Sequence, residues 1–196
     1  MKVIEQEIHS LKNSISEMWA LVHQQLYNAG EAMLTGDKEL AYKVISRERR
    51  VNAFELKIDS DCEDIIALYA PVAIDLRFVL AMYKINTNLE RLGDFAESIA
   101  RFAGNLPEGE PIDPQLVKET RVEEMLSELL SMISLTKEAF EKESSEIASR
   151  IFLKDNLIDE INHNSTAIIA KYIEEHKGSA LAGLYMAGVI RKMERF

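Results

Sequence analysis

The sequence Leu89-Glu90-Arg91-Leu92-Gly93-Asp94-Phe95-Ala96-Glu97-Ser98-Ile99-Ala100 mixes apolar and charged residues with a regular period. Its apolar residues recur every three or four positions, at Leu89, Leu92, Ala96 and Ile99. That spacing places them on one face of an α-helix, which turns once in about 3.6 residues. On another face, Glu90 and Asp94 lie four residues apart and project side by side. The stretch therefore predicts an amphipathic helix that presents a pair of carboxylates.

The same three-or-four spacing extends outward from this stretch over most of the chain. A first segment runs from Ile4 to Met33 and ends at Thr35-Gly36-Asp37, where glycine suits a helix end and aspartate can cap the next start. The four prolines and eight glycines are few, and no segment alternates apolar and polar residues as a half-buried strand does. The sequence therefore predicts an all-α protein.

The second and third segments carry the residues that matter most for function. The second follows Asp37 and ends before Pro71, which disfavours helical geometry at Ala70. Its inward face is predicted to consist of Leu40, Val44, Val51, Phe54, Ile58, Cys62 and Ile65. Its exposed face is predicted to carry Arg47, Glu48, Arg49, Asn52, Glu55 and Asp59. The third segment reaches about Ala103 and is predicted to bury Leu76, Val79, Tyr83, Leu89, Leu92, Ala96 and Ile99.

A break in the pattern divides the chain into two halves. Residues 104–114 hold three of the four prolines and two of the eight glycines. We predict a linker over 105–114, between a first bundle at 1–104 and a second at 115–196. The second half reads as one helix spanning Leu116 to Phe140, another from Ile147 to Tyr172, and a last one beginning near Ala180. The predicted fold is two tandem antiparallel three-helix bundles.

The second half repeats the first in order, which indicates an internal duplication. In the second helix of each half, Glu48-x-x-Val51-Asn52-x-Phe54 aligns with Asp155-x-x-Ile158-Asp159-x-Ile161. In the third helix, Leu89-Glu90-Arg91-Leu92 aligns with Met193-Glu194-Arg195-Phe196. The offset between the copies is smaller in the third helix than in the second, so the loop between these helices is shorter in the second half.

Composition excludes several classes of function. A formal net charge of −10 opposes binding to a phosphate backbone, so no nucleic-acid partner is expected. The polar N-terminal residues and the lack of any window of about 20 apolar residues predict a cytoplasmic protein. The single cysteine, Cys62, is predicted to fill the core. No Gly-rich phosphate loop and no Ser or Cys nucleophile beside a histidine is present, so we expect no enzyme activity.

Acidic residues four apart recur at matching positions of the repeat. The pairs are Glu90 with Asp94, Asp155 with Asp159, and, as a weaker version, Glu48 with Asn52. With 33 acidic residues in 196, about five such pairs arise by chance. Repetition at equivalent positions is harder to obtain by chance, and paired oxygens suit hard cations and iron. We therefore favour a metal site over a merely solvated polar face.

Residues 89–100 resemble the Leu-Glu-Arg-Ile-Gly-Asp-x-Ala-x-Asn-Ile-Ala signature of the PhoU family, the phosphate-uptake regulators built as two three-helix bundles. The resemblance covers essentially the whole chain and implies two metal sites. One would use Glu48, Asn52, Glu90 and Asp94, and the other Asp155, Asp159 and Glu194. The second copy of the signature stops at Phe196, before its Gly-Asp, so the final aspartate of the second site is absent from the sequence. Iron, zinc, manganese and magnesium all remain candidates for the metal.

The resemblance also implies a function. A member of this family is expected to be a cytoplasmic negative regulator of the phosphate-starvation response. Its implied partners are the ATPase subunit of the phosphate transporter, a sensor histidine kinase and a second copy of itself, with membrane contact only through these partners. Two alternatives are a metal-dependent enzyme or metal store that uses the same carboxylates, and a PhoU-like domain of a larger phosphate transporter.

Overall fold

The computed structural model of the protein describes residues 3–106, 112–176 and 178–195, and this part of the chain forms helices and no strand. The helices are α1 (Val3–Thr35), α2 (Lys38–Tyr69), α3 (Ala73–Asn105), α4 (Pro114–Thr120), α5 (Val122–Glu141), α6 (Ser145–Glu175) and α7 (Ala180–Met193). The predicted all-α class is confirmed. Residues 107–111 of the predicted linker and Phe196 lie outside the described residues.

The turn between α1 and α2 has the chemistry that the sequence predicts. Gly36 adopts a φ of 72°, in the left-handed region that glycine enters most easily. The Asp37 carboxylate then caps α2, because its Oδ1 accepts a hydrogen bond from the backbone N–H of Leu40 at 2.9 Å. At the other end, α2 stops at Tyr69, and Ala70 before Pro71 is left-handed with a φ of 44°.

The fourth predicted helix is wrong in one respect, because the structure divides it into α4 and α5. Arg121, between them, adopts a left-handed φ of 55°. The Arg121 guanidinium bonds the Glu124 carboxylate at 2.7 and 2.8 Å and that of Glu160, on α6, at 2.8 Å. These bonds from the Arg121 side chain hold the break against α6.

Helices α1, α2 and α3 form the first bundle. Their apolar faces meet in a core that includes Cys62, which is buried as predicted. The prediction for Tyr83 is wrong, since 43% of this residue is exposed. Met82 and Asn86 take the buried positions of this part of α3 instead, so the buried face lies one residue away from the predicted one.

Helices α5, α6 and α7 form the second bundle, which packs directly on the first. The Trp19 indole N–H donates to the Ile133 carbonyl at 3.2 Å, and its ring stacks on Phe140 with centroids 5.9 Å apart. Buried residues of both bundles form one continuous core. Apolar contacts thus cross the predicted boundary between the two bundles, and the position of that boundary stays a prediction.

Where the two bundles pack together, equivalent helices run in opposite directions. Near the end of α1, Gly30 lies against Leu126 at the start of α5, whereas Lys12 near the start of α1 pairs with Glu143, just past the end of α5, at 3.6 Å. Helix α7 likewise runs antiparallel to α3, with Phe102 stacked on Tyr185 at 4.7 Å. An approximate two-fold rotation therefore relates the duplicated halves.

Across the described ranges, none of the helices combines the length and the apolar composition that a bilayer span requires.

Gly93 on α3 tests the packing between α2 and α3, and Gly188 on α7, which has open space around it, is the control. A Cβ placed on Gly93 would lie 2.8 Å from Val51 Cγ1, whereas a Cβ on Gly188 would meet nothing within 4 Å. Gly93→Ala should therefore destabilise the protein by about 1 to 2 kcal/mol, since overpacking outweighs the gain of about 1 kcal/mol in helix propensity. Gly188→Ala should stabilise it by about 0.5 to 1 kcal/mol.

Urea denaturation of both variants measures these changes in the free energy of unfolding. Val51→Ala placed in the Gly93→Ala background removes the clashing methyl groups and should recover part of the loss. Equal stabilisation by the two alanine substitutions would contradict the close approach of α3 to α2.

Candidate metal centre

Two polar rows face each other where α2 and α3 pack antiparallel. The row on α2 consists of Glu48, Asn52, Glu55 and Asp59, and the row on α3 of Asn86, Glu90, Asp94 and Glu97. Steps of three or four residues keep each row on one helical face. Asn86 joins the rows, because its Nδ2 donates to the Glu55 carbonyl at 2.9 Å and to Asp59 Oδ1 at 2.7 Å. We call these eight residues the acidic cluster.

Glu48 is the most buried carboxylate of the acidic cluster. The prediction that it lies on the exposed face of α2 is wrong, because only 8% of it is accessible. Helix α3 covers this part of α2 where Gly93 contacts Val51, one turn from Glu48. Glu48 Oε2 accepts from Asn52 Nδ2 at 2.9 Å, whereas Glu48 Oε1 is buried without a hydrogen-bond partner. A buried oxygen of this kind is destabilising unless a cation or a proton satisfies it.

Burial, together with repulsion among the carboxylates, favours protonation within the acidic cluster. Burial raises the pKa of Glu90 to about 7, with further contributions from the Asp94 and Glu55 charges and from its hydrogen bond to Asp94. Burial likewise raises the pKa of Glu48, helped by Glu97 and Asp94. The pKa of Glu55 is raised by burial, then by Asp59 and Asp94. The charge of Asp94 thus contributes to the raised pKa of all three carboxyl groups, those of Glu48, Glu55 and Glu90.

One arginine offsets part of this negative charge. The Arg101 guanidinium bonds Glu97 Oε1 at 2.7 Å, one turn along α3. Its charge also lowers the pKa of Glu48 slightly against the raising effects of burial and the acids. The positive charge lies at one end of the acidic cluster, so Glu90 and Glu55 keep their excess of neighbouring carboxylates.

The donor set of the acidic cluster fits a cation, although its side chains are not gathered around one. Among residues 3–106, 112–176 and 178–195, no group of three Asp, Glu, His or Cys side chains is arranged to hold a metal ion. The partnerless Glu48 Oε1 and the raised pKa of Glu90 are nevertheless the features that a bound cation would relieve. Glu48, Glu90 and Asp94 would supply carboxylate ligands, with the Asn52 amide beside them.

The predicted second site is built differently. Asp155 and Asp159 lie exposed on α6, and Glu194 follows the end of α7. No hydrogen bond or ion pair within the described chain involves these three side chains. The counterparts of Glu55 and Asp59 in the repeat are Asn162 and Thr166, which carry no charge. The structure thus brings the predicted residues of the first half together, and among the described residues it shows no hydrogen bond or ion pair between the predicted residues of the second half.

Four residues of the acidic cluster were missed at the sequence level, namely Glu55, Asp59, Asn86 and Glu97. A signal for them was available, since each continues a row that already contains a predicted ligand. What the sequence could not indicate was that the two rows face each other, because that depends on the register of α3 against α2.

Comparison with known proteins places this arrangement in a family. The family model for the PhoU domain matches residues 15–103 and 122–196, which together make up most of the chain. The chain belongs to the PhoU family. Its two matched segments correspond to the two halves of the internal duplication.

Relatives of this PhoU-family chain carry names that refer to phosphate transport. The chain is 32% identical over 191 residues to the phosphate-specific transport system accessory protein PhoU homolog of Aquifex aeolicus, covering 96% of this chain and 84% of the relative. It is 31% identical over 190 residues to the phosphate-specific transport system accessory protein PhoU of Escherichia coli, covering 95% and 77%.

Solved PhoU structures share the fold. The crystal structure of PhoU from Pseudomonas aeruginosa matches with a TM-score of 0.86 at 25% identity, covering 97% of this chain and 90% of that one. The phosphate transport system regulatory protein PhoU from Streptococcus pneumoniae matches with a TM-score of 0.85 at 28% identity, covering 98% and 88%. The two-repeat architecture predicted from the sequence is therefore confirmed.

The raised pKa of Glu90 predicts how the stability of the protein depends on pH. The folded protein keeps this proton up to about pH 7, whereas the unfolded chain releases it near the ordinary value of 4.5. The folded state thus binds more protons between these values, so the free energy of unfolding should decrease as the pH rises through this window. Glu90→Gln should remove much of the decrease and stabilise the protein at pH 8 by about 1 to 2 kcal/mol, allowing for solvent screening.

Chelator-treated protein should be used, and urea denaturation at several pH values between 4.5 and 8 gives the slope. Glu174→Gln, at an exposed position of α6, is the matched control and should leave the slope unchanged. A Glu90→Gln variant with the same pH dependence as the parent protein would show that Glu90 is ionised throughout.

Proposed function

We propose that this PhoU-family chain is a cytoplasmic negative regulator of the phosphate-starvation response. It couples the high-affinity phosphate ABC transporter to a sensor histidine kinase through protein contacts, and it acts as a homodimer. The observation that carries this proposal is the family match over both halves of the chain, together with relatives named as accessory proteins of the phosphate-specific transport system. Its partners are the transporter ATPase subunit and the kinase.

Metal binding at the acidic cluster is the second part of the proposal. Glu48, Asn52, Glu90 and Asp94 hold the cation, which is iron, zinc, manganese or magnesium. A cation there satisfies the buried oxygen of Glu48 and removes the proton from Glu90, so that metal binding and proton release are linked. The bound metal stabilises the α2–α3 hairpin by mass action, which keeps a docking surface in one conformation.

A metal-dependent enzyme is the rival function, and one observation favours it. A carboxyl group with a pKa of about 7, such as Glu90, suits general acid or base catalysis near neutral pH. The acidic cluster can therefore be interpreted as a catalytic centre as well as a structural metal site.

Deletion of the gene tests the regulatory role. A deletion strain should express phosphate-starvation genes even in high phosphate, because the negative signal to the kinase is lost. The wild-type chain supplied in trans should restore repression. Unchanged repression in the deletion strain would overturn the regulatory proposal, whatever metal the protein binds.

Metal content tests the acidic cluster. Protein purified without chelator should contain one of the four metals, and Glu90→Gln combined with Asp94→Asn should lower the metal content at least tenfold, as measured by mass spectrometry of the digested protein. Asp155→Asn combined with Asp159→Asn makes the same chemical change on the exposed face of α6 and should have a much smaller effect. Full metal content in the Glu90 and Asp94 variant would exclude this site.

The same variant separates the regulator from the enzyme. Pull-down of the transporter ATPase and the kinase should weaken with the Glu90 and Asp94 variant, while the wild-type protein should show no metal-dependent hydrolysis of generic phosphoesters. Metal-dependent turnover that disappears in the variant, with partner binding intact, would favour the enzyme.

A further inference from the structure

The turn between α2 and α3 exposes three large apolar side chains. Leu68, Val72 and Ile74 are 71%, 75% and 80% exposed. They lie in and beside the short connection that joins Tyr69, the last residue of α2, to Ala73, the first residue of α3. Single exposed apolar residues are ordinary on a protein surface, whereas a group of them at one place marks a contact site. We call Leu68, Val72 and Ile74 the apolar tip.

The start of α3 shows that helix capping does not explain the apolar tip. Val72 occupies the N-cap position of α3 and makes no side-chain hydrogen bond to the helix. The N-caps of α2, α4 and α6 are Asp37, Asp113 and Ser144, and each accepts a hydrogen bond from a backbone N–H of its own helix. Residues that accept such a bond are preferred at N-caps, where they stabilise the helix. The stability of α3 alone therefore does not account for a valine at this position.

The backbone around the apolar tip is strained, whereas its counterpart in the second half is not. Ala70 and Ala73, on either side of the buried Pro71, adopt φ values of 44° and 49°. This left-handed region is unfavourable for a residue that carries a Cβ. The equivalent connection between α6 and α7 has Gly178 at a φ of 94° and Ser179 as the N-cap of α7. The duplicated architecture can thus be joined by a polar turn with glycine, so it does not require the strained apolar one.

Acidic side chains flank the apolar tip. Residues 63–77 contain three acids, Glu63, Asp64 and Asp75, against one base, Arg77, and all four side chains are exposed. Within the described part of the chain, none of the three acids forms an ion pair. A partner with basic groups would complement them. A second copy of this chain would instead bring like charges together, and an anionic lipid surface would repel them.

The apolar tip lies at the end of the hairpin that carries the acidic cluster. Asn86, which joins the two rows of that cluster, is about 18 Å along α3 from Ile74. The last described residue, Arg195, lines a cleft with Arg91, which is about 25 Å along α3 from Ile74. The apolar tip is therefore a separate surface from the candidate metal centre and from that end of the described chain.

We propose that the apolar tip is a docking surface for a partner protein that presents an apolar pocket bordered by basic side chains. Leu68, Val72 and Ile74 enter the pocket, and the flanking acids face its basic border. The proposal rests on the proposed docking function and adds to it the surface that this chain uses and the chemistry of the site that receives it.

Titration calorimetry with two purified probes tests this surface, namely the transporter ATPase subunit and the cytoplasmic part of the kinase. We expect the wild-type chain to bind at least one of them saturably. Val72→Ser removes an apolar side chain but supplies a residue preferred at an N-cap, so the urea midpoint should not fall. This variant, and Leu68→Gln combined with Ile74→Gln, should each weaken binding at least tenfold, which is the effect of leaving one such side chain out of a pocket.

Two further variants test the position and the charge of the surface. Leu56→Gln changes a residue of α2 that is 69% exposed and about 18 Å from Leu68 along the helix, and it should leave binding unchanged. Asp64→Asn combined with Asp75→Asn should weaken binding severalfold, and the difference from the wild-type chain should shrink at high salt. An equal loss of binding with Leu56→Gln would show that the contact is not made by the apolar tip.

The remaining outcomes overturn the proposal in distinguishable ways. Binding that persists in the variants of Leu68, Val72 and Ile74 would place the partner elsewhere and leave the regulatory role intact. No binding of either probe to the wild-type chain would overturn the regulatory role together with this proposal. In sedimentation, a wild-type dimer that Val72→Ser dissociates would show that a second copy covers the apolar tip. Flotation with phosphatidylcholine–phosphatidylglycerol vesicles that Val72→Ser abolishes would show that it enters a lipid surface instead.

Discussion

The close approach of α3 to α2 at Gly93 is the constraint on which the acidic cluster depends. Without a side chain at Gly93, Val51 can lie against the α3 backbone, so that the two helices meet with little space between them. This contact sets the register that places Glu48 and Glu55 opposite Asp94. A wider separation of the helices would admit water, and the burial that raises the pKa values of these carboxyl groups would be lost.

A bundle that buries several like charges gives up stability at that place. The protein offsets the repulsion in three ways: the Asn52 amide bonds Glu48, the Asn86 amide bonds Asp59, and Arg101 bonds Glu97. None of these reaches Glu48 Oε1. An apolar or amide residue at position 48 would be the more stable choice, so the needs of the fold alone do not account for this carboxylate.

The fold was largely predictable because each helix carries its own signals. The spacing of apolar residues gives the helices, and Gly36 with Asp37 gives the first turn. Local signals failed at Arg121, where bonds to Glu124 and to Glu160 on another helix hold the chain in a left-handed conformation. They failed again at Glu48, whose burial depends on α3. The carboxylate pair Glu90 and Asp94 could be found from its spacing alone. Its partners on α2 depend on how α3 is aligned along α2, and the helical repeat of 3.6 residues gives no information about that alignment.

The duplicated halves have kept one architecture and diverged in what their third helices do. In the first half, α3 packs along its bundle and presents a row of acids to α2. In the second half, Ile190 stands where the first has Asn86, so the polar link between the second and third helices is replaced by a buried apolar contact. Asp155 and Asp159 on α6 are exposed, whereas their counterpart Glu48 on α2 is buried. Because the two-fold arrangement sets α3 beside α7, residues of both halves line one cleft, among them Trp19, Leu89 and Leu129. The acidic cluster and this cleft share one helix, because Glu90 and Asp94 interact with Glu55 on α2 while Leu89 and Arg91 of the same turn line the cleft. A substitution that displaces α3 would for that reason alter the surroundings of both.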